Sequence, residues 1–181
     1  MREIKVVDYD SEWATTFEAL KSRIWPAIQS VALGIEHVGS TSVPGLAAKP
    51  IIDIDIIIAS EAELPVVIER LAQLGYQHRG DLGIEGREAF FAPVDLAAHH
   101  LYVCTQDSVA LKNHLAVRDY LKLHPEKIQQ YSELKKHLAQ RFPNDIDSYI
   151  EGKTDFLLEI LRAANFSSAQ LASIKQANTV K

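Results

Sequence analysis

The chain has 181 residues, 47% hydrophobic and 24% charged, with a formal net charge of -5. A chain of this size buries about 70% of its unfolded surface, enough for a core without cross-links, and its single cysteine, Cys104, excludes both an intrachain disulfide framework and a zinc-finger ligand set. The acidic balance argues against indiscriminate nucleic-acid binding. No apolar run approaches the ~20 residues of a membrane span, and Met1 to Tyr9 lacks a signal peptide's apolar stretch, so a cytoplasmic protein without membrane or nucleic-acid partners is expected.

Asp10 or Ser11 caps a helix to about Val31, with Trp13, Phe17, Leu20, Ile24 and Ile28 at helical spacing and a kink at Pro26. A short strand, Ile35 to Val38, runs into the small-residue loop Gly39-Ser40-Thr41-Ser42 and a short helix, Val43 to Lys49. Pro50 ends that helix, and Ile51 to Ile58, rich in β-branched residues, is a strand. Ser60 and Glu63 form a capping box for a helix stopped by Gly75. Strands Arg87 to Pro93 and His99 to Thr105 follow, joined by a turn around Asp95. Beyond Thr105 the pattern is helical: Asp107 or Ser108 to about His124, Pro125 to about Phe142, Ile146 to Ala164, and a last short helix capped by Ser167. The fold class is α+β, a mixed sheet with helices packed on it (1–106) followed by a helical subdomain packed on that core (107–181).

Charge follows the same division. Residues 1–108 hold 8 Lys and Arg against 16 Asp and Glu, whereas residues 109–141 hold 7 against 3. The basic helices are therefore expected to face the acidic strand region across a cleft.

Ile51 to Ile58 carries the strongest chemical signal. Side chains alternate along a strand, so Ile52, Ile54, Ile56 and Ile58 form an apolar face and Asp53 and Asp55 lie together on the other. Two carboxylates on one rigid element repel unless a cation joins them, which points to a divalent metal, and hard oxygen donors select Mg²⁺ or Mn²⁺. Upstream, Gly39 and Ser40 sit between a strand and a helix, where free backbone N–H groups and a hydroxyl can hold a phosphate. A phosphate cradle and a carboxylate pair on adjacent strands resemble the polymerase β-like nucleotidyltransferase superfamily.

The whole string from Glu36 to Asp53, EHVGSTSVPGLAAKPIID, resembles the signature of the GrpB (UPF0157) family. Trp13, Gly75-Tyr76, Gly86-Arg87, His99-His100-Leu101, Arg118-Asp119-Tyr120-Leu121, Tyr131 with Lys135, and Tyr149 with Lys153 extend the likeness over about residues 8–164. The resemblance implies a nucleotidyltransferase-like fold, and the family also occurs fused behind dephospho-CoA kinase, which implies a functional link to that enzyme. One departure stands out. The strand matching the third carboxylate of many superfamily members reads His99-His100-Leu101-Tyr102-Val103, so His100 is expected in that place, as a metal ligand or proton acceptor; Asp95, in a turn, is a poor substitute.

The expected site then has Asp53, Asp55 and His100 as catalytic and metal-holding residues. Gly39, Ser40, Thr41, Ser42, Lys49, Arg87, Arg118, Lys135 and Lys153 hold phosphates. Arg118 with Asp119 also reads as an internal ion pair, and Tyr131 to Lys135 and Tyr149 to Lys153 are i to i+4 pairs, each on one helix face. Cys104 and the histidines other than His100 read as structure. The expected ligands are a nucleoside triphosphate with a divalent cation and a small acceptor. The alternative is a non-catalytic module that holds a nucleotide or CoA-related metabolite for a partner enzyme.

Overall fold

Five strands build one mixed sheet: β1 (Gly34–Val38), β2 (Ile52–Ile58), β3 (Gln77–Gly80), β4 (Arg87–Phe91) and β5 (His99–Thr105), in the spatial order β1-β2-β5-β4-β3. The structure is a computed structural model and describes residues 3–179. β2 and β5 run parallel at the centre, and every other neighbouring pair is antiparallel. The expected α+β class is what the chain adopts.

One sheet face is mainly apolar at its centre, with His37, His99 and Glu88 in register beside the apolar residues. Ile52, Ile54, Ile56 and Ile58 of β2 and Leu101 and Val103 of β5 pack against α1 (Glu12–Ile28) and α2 (Leu64–Gln73). From α1 this core receives Trp13, Phe17, Leu20, Ile24 and Ile28, the residues whose spacing marked the helix, and Pro26 lies within its last turn. On the other side α3 (Val109–Leu123) packs against β1 and β5, and α4 (Pro125–Arg141), α5 (Ile146–Ala163) and α6 (Ser168–Asn178) pack on α3 and on one another. Caps begin three of them where the sequence has hydroxyl or carboxylate side chains: Ser108 for α3, Asp145 for α5, and Ser167 with Gln170 as a capping box for α6.

The structure departs from expectation in two places. Val43 to Lys49 is not a helix; a single 3₁₀ turn, Ser40–Ser42, precedes it. Pro44 and Gly45 instead occupy the corner of a turn closed by Leu46 N–H donating to the Val43 carbonyl at 3.1 Å, with Gly45 at φ 84°, the conformation a type II turn requires. That turn drives Val43 and Leu46 into a second apolar cluster with Leu121, Tyr131 and Ile160, tying the loop to the helices. The other departure is β3, an element absent from the sequence expectations because Gln-His-Arg-Gly has no apolar alternation. It is held at the sheet edge by backbone pairing with β4.

Among the described residues no helix is long and apolar enough to cross a membrane. Cys104 is buried and free, as expected of a small core residue.

Candidate functional site

Asp53 and Asp55 share the face of β2 turned toward the C-terminal helices, yet their surroundings differ. Asp55 is 0% exposed and accepts a 2.7 Å hydrogen bond on Oδ2 from Nδ1 of His114 on α3. Its Oδ1 is buried without a partner. The Asp53 side chain is 29% exposed and accepts a 2.9 Å bond from Nδ1 of His100, its register partner on β5. Burial would raise the Asp53 pKa, but the His100 hydrogen bond and charge, with the charges of His114 and Lys153, outweigh it and hold the carboxyl below its ordinary value. Burial likewise opposes the charged form of His114, and Asp55, through charge and hydrogen bond, together with Asp53 overcomes it and raises that imidazole. Each carboxylate thus has an imidazole donor, where the sequence suggested a pair joined by a divalent metal with His100 beside it.

His114 is the residue that sequence reasoning missed, having assigned it to structure. Its signal was weak: it stands one helical turn before Arg118 in the basic segment, on the same face.

Gly39 sits against Asp53. Its φ is 69° and ψ -172°, a region essentially reserved for glycine, and a Cβ there would overlap Asp53 Oδ2 and stand 2.9 Å from the Asp53 Cβ and Cγ. Of the expected phosphate-binding hydroxyls, only Ser40 lines the pocket in front of Asp53. The Thr41 hydroxyl is buried, bonded to His37 Nε2 at 3.0 Å and to the Ile51 carbonyl at 3.4 Å, and Ser42 Oγ donates to the Gly39 carbonyl at 2.6 Å. Both shape the turn, because a 3₁₀ turn this tight directs them inward.

The pocket, about 270 Å³, is walled by Gly39, Ser40 and Asp53 on the sheet side and by Arg118, Tyr131 and Lys153 on the helix side. The acidic strand and the basic helices therefore do meet. Lys135 lies beneath, 2% exposed, its Nζ 4.5 Å from the centre of the Tyr131 ring and without a hydrogen-bond partner. Lys49 and Lys153 each place Nζ over the Tyr149 ring, at 5.6 and 5.3 Å. Both i to i+4 pairs are thus real contacts. Burial, then the Lys49 charge, lowers Lys153 to about 8 against the pull of Asp53. Burial, then the Lys153 charge, pushes Lys135 well below the lysine range, Asp53 opposing and Lys49 adding. Asp53 is the one carboxylate acting on all three lysines, and burial outweighs it in each case.

Arg118 reaches the pocket wall, but its Nη1 donates to Glu36 Oε2 at 2.6 Å and to the His37 carbonyl at 3.0 Å, and its Nε to Asp119 at 2.8 Å. It pins α3 to β1, the internal ion pair included. Arg87 departs from expectation: it lines a separate, larger cavity, with its guanidinium 4.4 Å from the centre of the Tyr102 ring, because β4 lies on the far side of β5 from β2. His100 is bonded to Asp53 alone, and among the described residues no three His, Cys, Asp or Glu side chains are grouped as metal ligands. The donor set fits a hard divalent ion held by two carboxylates and completed by phosphate and water, with one Asp55 oxygen unpartnered yet buried; it does not fit an all-protein cage.

Comparison with known proteins agrees with this architecture. The family model described as GrpB protein matches residues 3–163. The chain is 36% identical over 156 residues to the UPF0157 protein YqkA of Bacillus subtilis, covering 86% of this chain and 46% of that one, so it spans about half of that relative. It is 35% identical to the glutamate-rich protein GrpB of Alkalihalophilus pseudofirmus, over 88% of this chain and 94% of that one. The crystal structure of the conserved protein GrpB from Enterococcus faecalis superposes with a TM-score of 0.78 at 31% identity, covering 95% and 98% of the two chains. The Cid1 poly(U) polymerase with bound MgGTP is similar in fold, with a TM-score of 0.55 at 15% identity over 75% of this chain and 45% of that one. A dephospho-CoA kinase of Mycolicibacterium paratuberculosis is 25% identical over 89% of this chain and 46% of its own length. With its signature string, its nucleotidyltransferase-like sheet and a family match over nearly its whole length, the chain belongs to the GrpB family.

Proposed function

We propose that this protein binds a nucleoside triphosphate with a divalent cation in the pocket between β2 and the C-terminal helices, and transfers a nucleotidyl group to a small acceptor. The carrying observation is that Lys153 and Arg118 line the pocket together with Gly39, Ser40 and Asp53, while Lys49 and the buried, unpartnered Lys135 lie close enough to Lys153 and Asp53 to act on them through charge. A polyphosphate supplies the missing acceptors. Asp53 and Asp55 would hold Mg²⁺ or Mn²⁺, which when bound neutralises phosphate oxygens and makes an attacking hydroxyl more acidic. Ser40 donates to a phosphate oxygen, Gly39 lets the backbone approach, and Lys153 neutralises the terminal phosphates with Lys135 adding its charge from beneath. His100 and His114 hold the two carboxylates in place. The setting on this reading is the cytoplasm, without membrane or nucleic-acid partner.

The test is calorimetry of each nucleoside triphosphate with and without Mg²⁺ or Mn²⁺, followed by pyrophosphate release against a pool of small metabolites. Wild type should bind only with metal, and Asp53→Asn should bind at least tenfold more weakly. Equal affinity of the two proteins in Mg²⁺ refutes the reading.

One observation favours a second reading, a binding module acting with a partner enzyme. Asp55 is sealed behind His114 and, among the described residues, no third carboxylate joins the pair, which leaves the metal site short of protein ligands. The partner on this reading is an enzyme of CoA metabolism, which the dephospho-CoA kinase relative supports. Saturable binding without pyrophosphate release selects it.

A further inference from the structure

A second cavity of about 670 Å³ opens on the other side of α3, between the loop before β4 and α6, and has the size of a small-molecule site. It shares Asn113, His114 and Asn178 with the triphosphate pocket, so the two cavities meet at a common wall beside Asp55. Their charge balance differs. His114, common to both, is paired with Asp55; the smaller pocket otherwise has Arg118 and Lys153 against Asp53, whereas the larger has Glu61, Glu85 and Asp107 against Arg87, which lies on the Tyr102 ring. Between the carboxylates its wall carries the side-chain amides of Asn113 and Asn178, groups that both donate and accept hydrogen bonds.

We propose that this cavity is the acceptor site, and that it takes a small polyhydroxylated molecule bearing a positive charge, of the amino-sugar class. The word acceptor rests on the nucleotidyl-transfer reading above; the class of ligand rests on the cavity itself. A surplus of carboxylates repels phosphorylated or carboxylated acceptors and favours an ammonium group, and the amides match hydroxyls. The shared wall puts an acceptor hydroxyl next to the triphosphate. Its oxygen forms a bond to the α-phosphorus, the bond from that phosphorus to the oxygen bridging to the β-phosphate breaks, pyrophosphate leaves with the electron pair, and the hydroxyl proton passes to water.

The experiment uses the full chain and three probes: the glucosamine disaccharide chitobiose, the neutral disaccharide cellobiose of the same skeleton, and spermidine, a cation without hydroxyls. Binding is followed by saturation-transfer NMR and calorimetry, with and without a non-hydrolysable triphosphate and Mg²⁺. Chitobiose should bind at least tenfold tighter than either other probe. The double variant Glu85→Gln, Asp107→Asn, altered at two exposed positions, should lose at least tenfold of that affinity with an unchanged unfolding midpoint. Equal binding of chitobiose and cellobiose, equal binding of spermidine, or an unaffected double variant overturns the proposal. Selective chitobiose binding by a protein that binds no triphosphate overturns the nucleotidyl reading, and the word acceptor with it, and upholds the cavity as a site for cationic polyols.

Discussion

The two walls of the pocket handle charge in opposite ways. On the sheet, Asp53 and Asp55 each accept from an imidazole, His100 and His114, so one oxygen of each carboxylate is provided for by the chain itself, while Asp55 Oδ1 stays unpartnered. Opposite, Lys135 and Lys153 on the helices and Lys49 in the loop before β2 have aromatic rings for company, and Lys135 has no hydrogen-bond acceptor. Burying an ammonium without an acceptor opposes folding, whereas a buried, paired carboxylate is close to neutral. A chain that pairs the charges of one wall and leaves those of the other wanting is arranged around an anion that comes from outside.

The largest effect should come from breaking the paired wall. His114→Ala removes the donor to a carboxylate that is 0% exposed and leaves it alone in the interior. Loss of one partner of a buried pair costs about 3–5 kcal/mol. Urea denaturation of His114→Ala should show a loss of that order, and adding Asp55→Asn should recover part of it, since the charge that needed a partner has gone. Additive losses in the double variant would mean that the pair is not coupled and that the contrast between the walls is false.

The opposite wall should respond with the opposite sign. Lys135→Met replaces a buried, unpartnered ammonium by an apolar side chain of similar length, and the ligand-free protein should gain about 1–3 kcal/mol, the usual cost of a buried polar group without a partner. The same substitution should abolish most triphosphate binding. Thermal unfolding with and without triphosphate and Mg²⁺ reads both effects, and a variant that is less stable without ligand contradicts the description of this wall.

Titration sharpens the same comparison. Lys153 is lowered to about 8 by burial and by Lys49, against an ordinary value of 10.5. Between those values the unfolded chain keeps a proton that the folded chain has lost, so stability of the free protein should rise with pH across that window. A bound polyphosphate restores the raised value and draws the proton back, so affinity should fall over the same range, by up to about tenfold per pH unit for each proton taken up. Calorimetry in buffers of different ionisation enthalpy measures that uptake. Binding that strengthens from pH 8 to 9 would remove Lys153 from the ligand.

How much of this was legible in the sequence follows from the range of each interaction. Alternation along Ile51 to Ile58 is local, and it announced both the strand and which face carries Asp53 and Asp55. The i to i+4 spacing is local too, and it put Lys135 on Tyr131 and Lys153 on Tyr149. The unequal burial of the two aspartates depends on α3 crossing one of them, and the donor, His114, comes from a different element. Nothing near Asp55 in sequence reports it. Thr41 and Ser42 misled for the converse reason: their hydroxyls suit a phosphate cradle by type, and only the backbone of the turn reveals that both bond inward. Arg87 misled because sequence order places it after β2, while strand order puts β5 between them.

The smallest expected effect tests the hinge between the walls. Ser40 stands in the pocket lining beside Gly39, in the 3₁₀ turn that leads away from β1, and its neighbours Thr41 and Ser42 have hydroxyls committed to the turn. Its own hydroxyl is therefore the side-chain donor that the sheet wall offers to a phosphate. Ser40→Ala should weaken triphosphate binding by about 0.5–1.5 kcal/mol, the net worth of one hydrogen bond, at the upper end if the acceptor oxygen is charged. Monophosphate binding should be less sensitive, because the lysines that draw the terminal phosphates inward set how closely a ligand approaches this turn. Calorimetry with the two ligands separates the cases. Equal losses for both would make Ser40 part of the turn, like its two neighbours, and would leave the sheet wall offering only backbone groups to the phosphates.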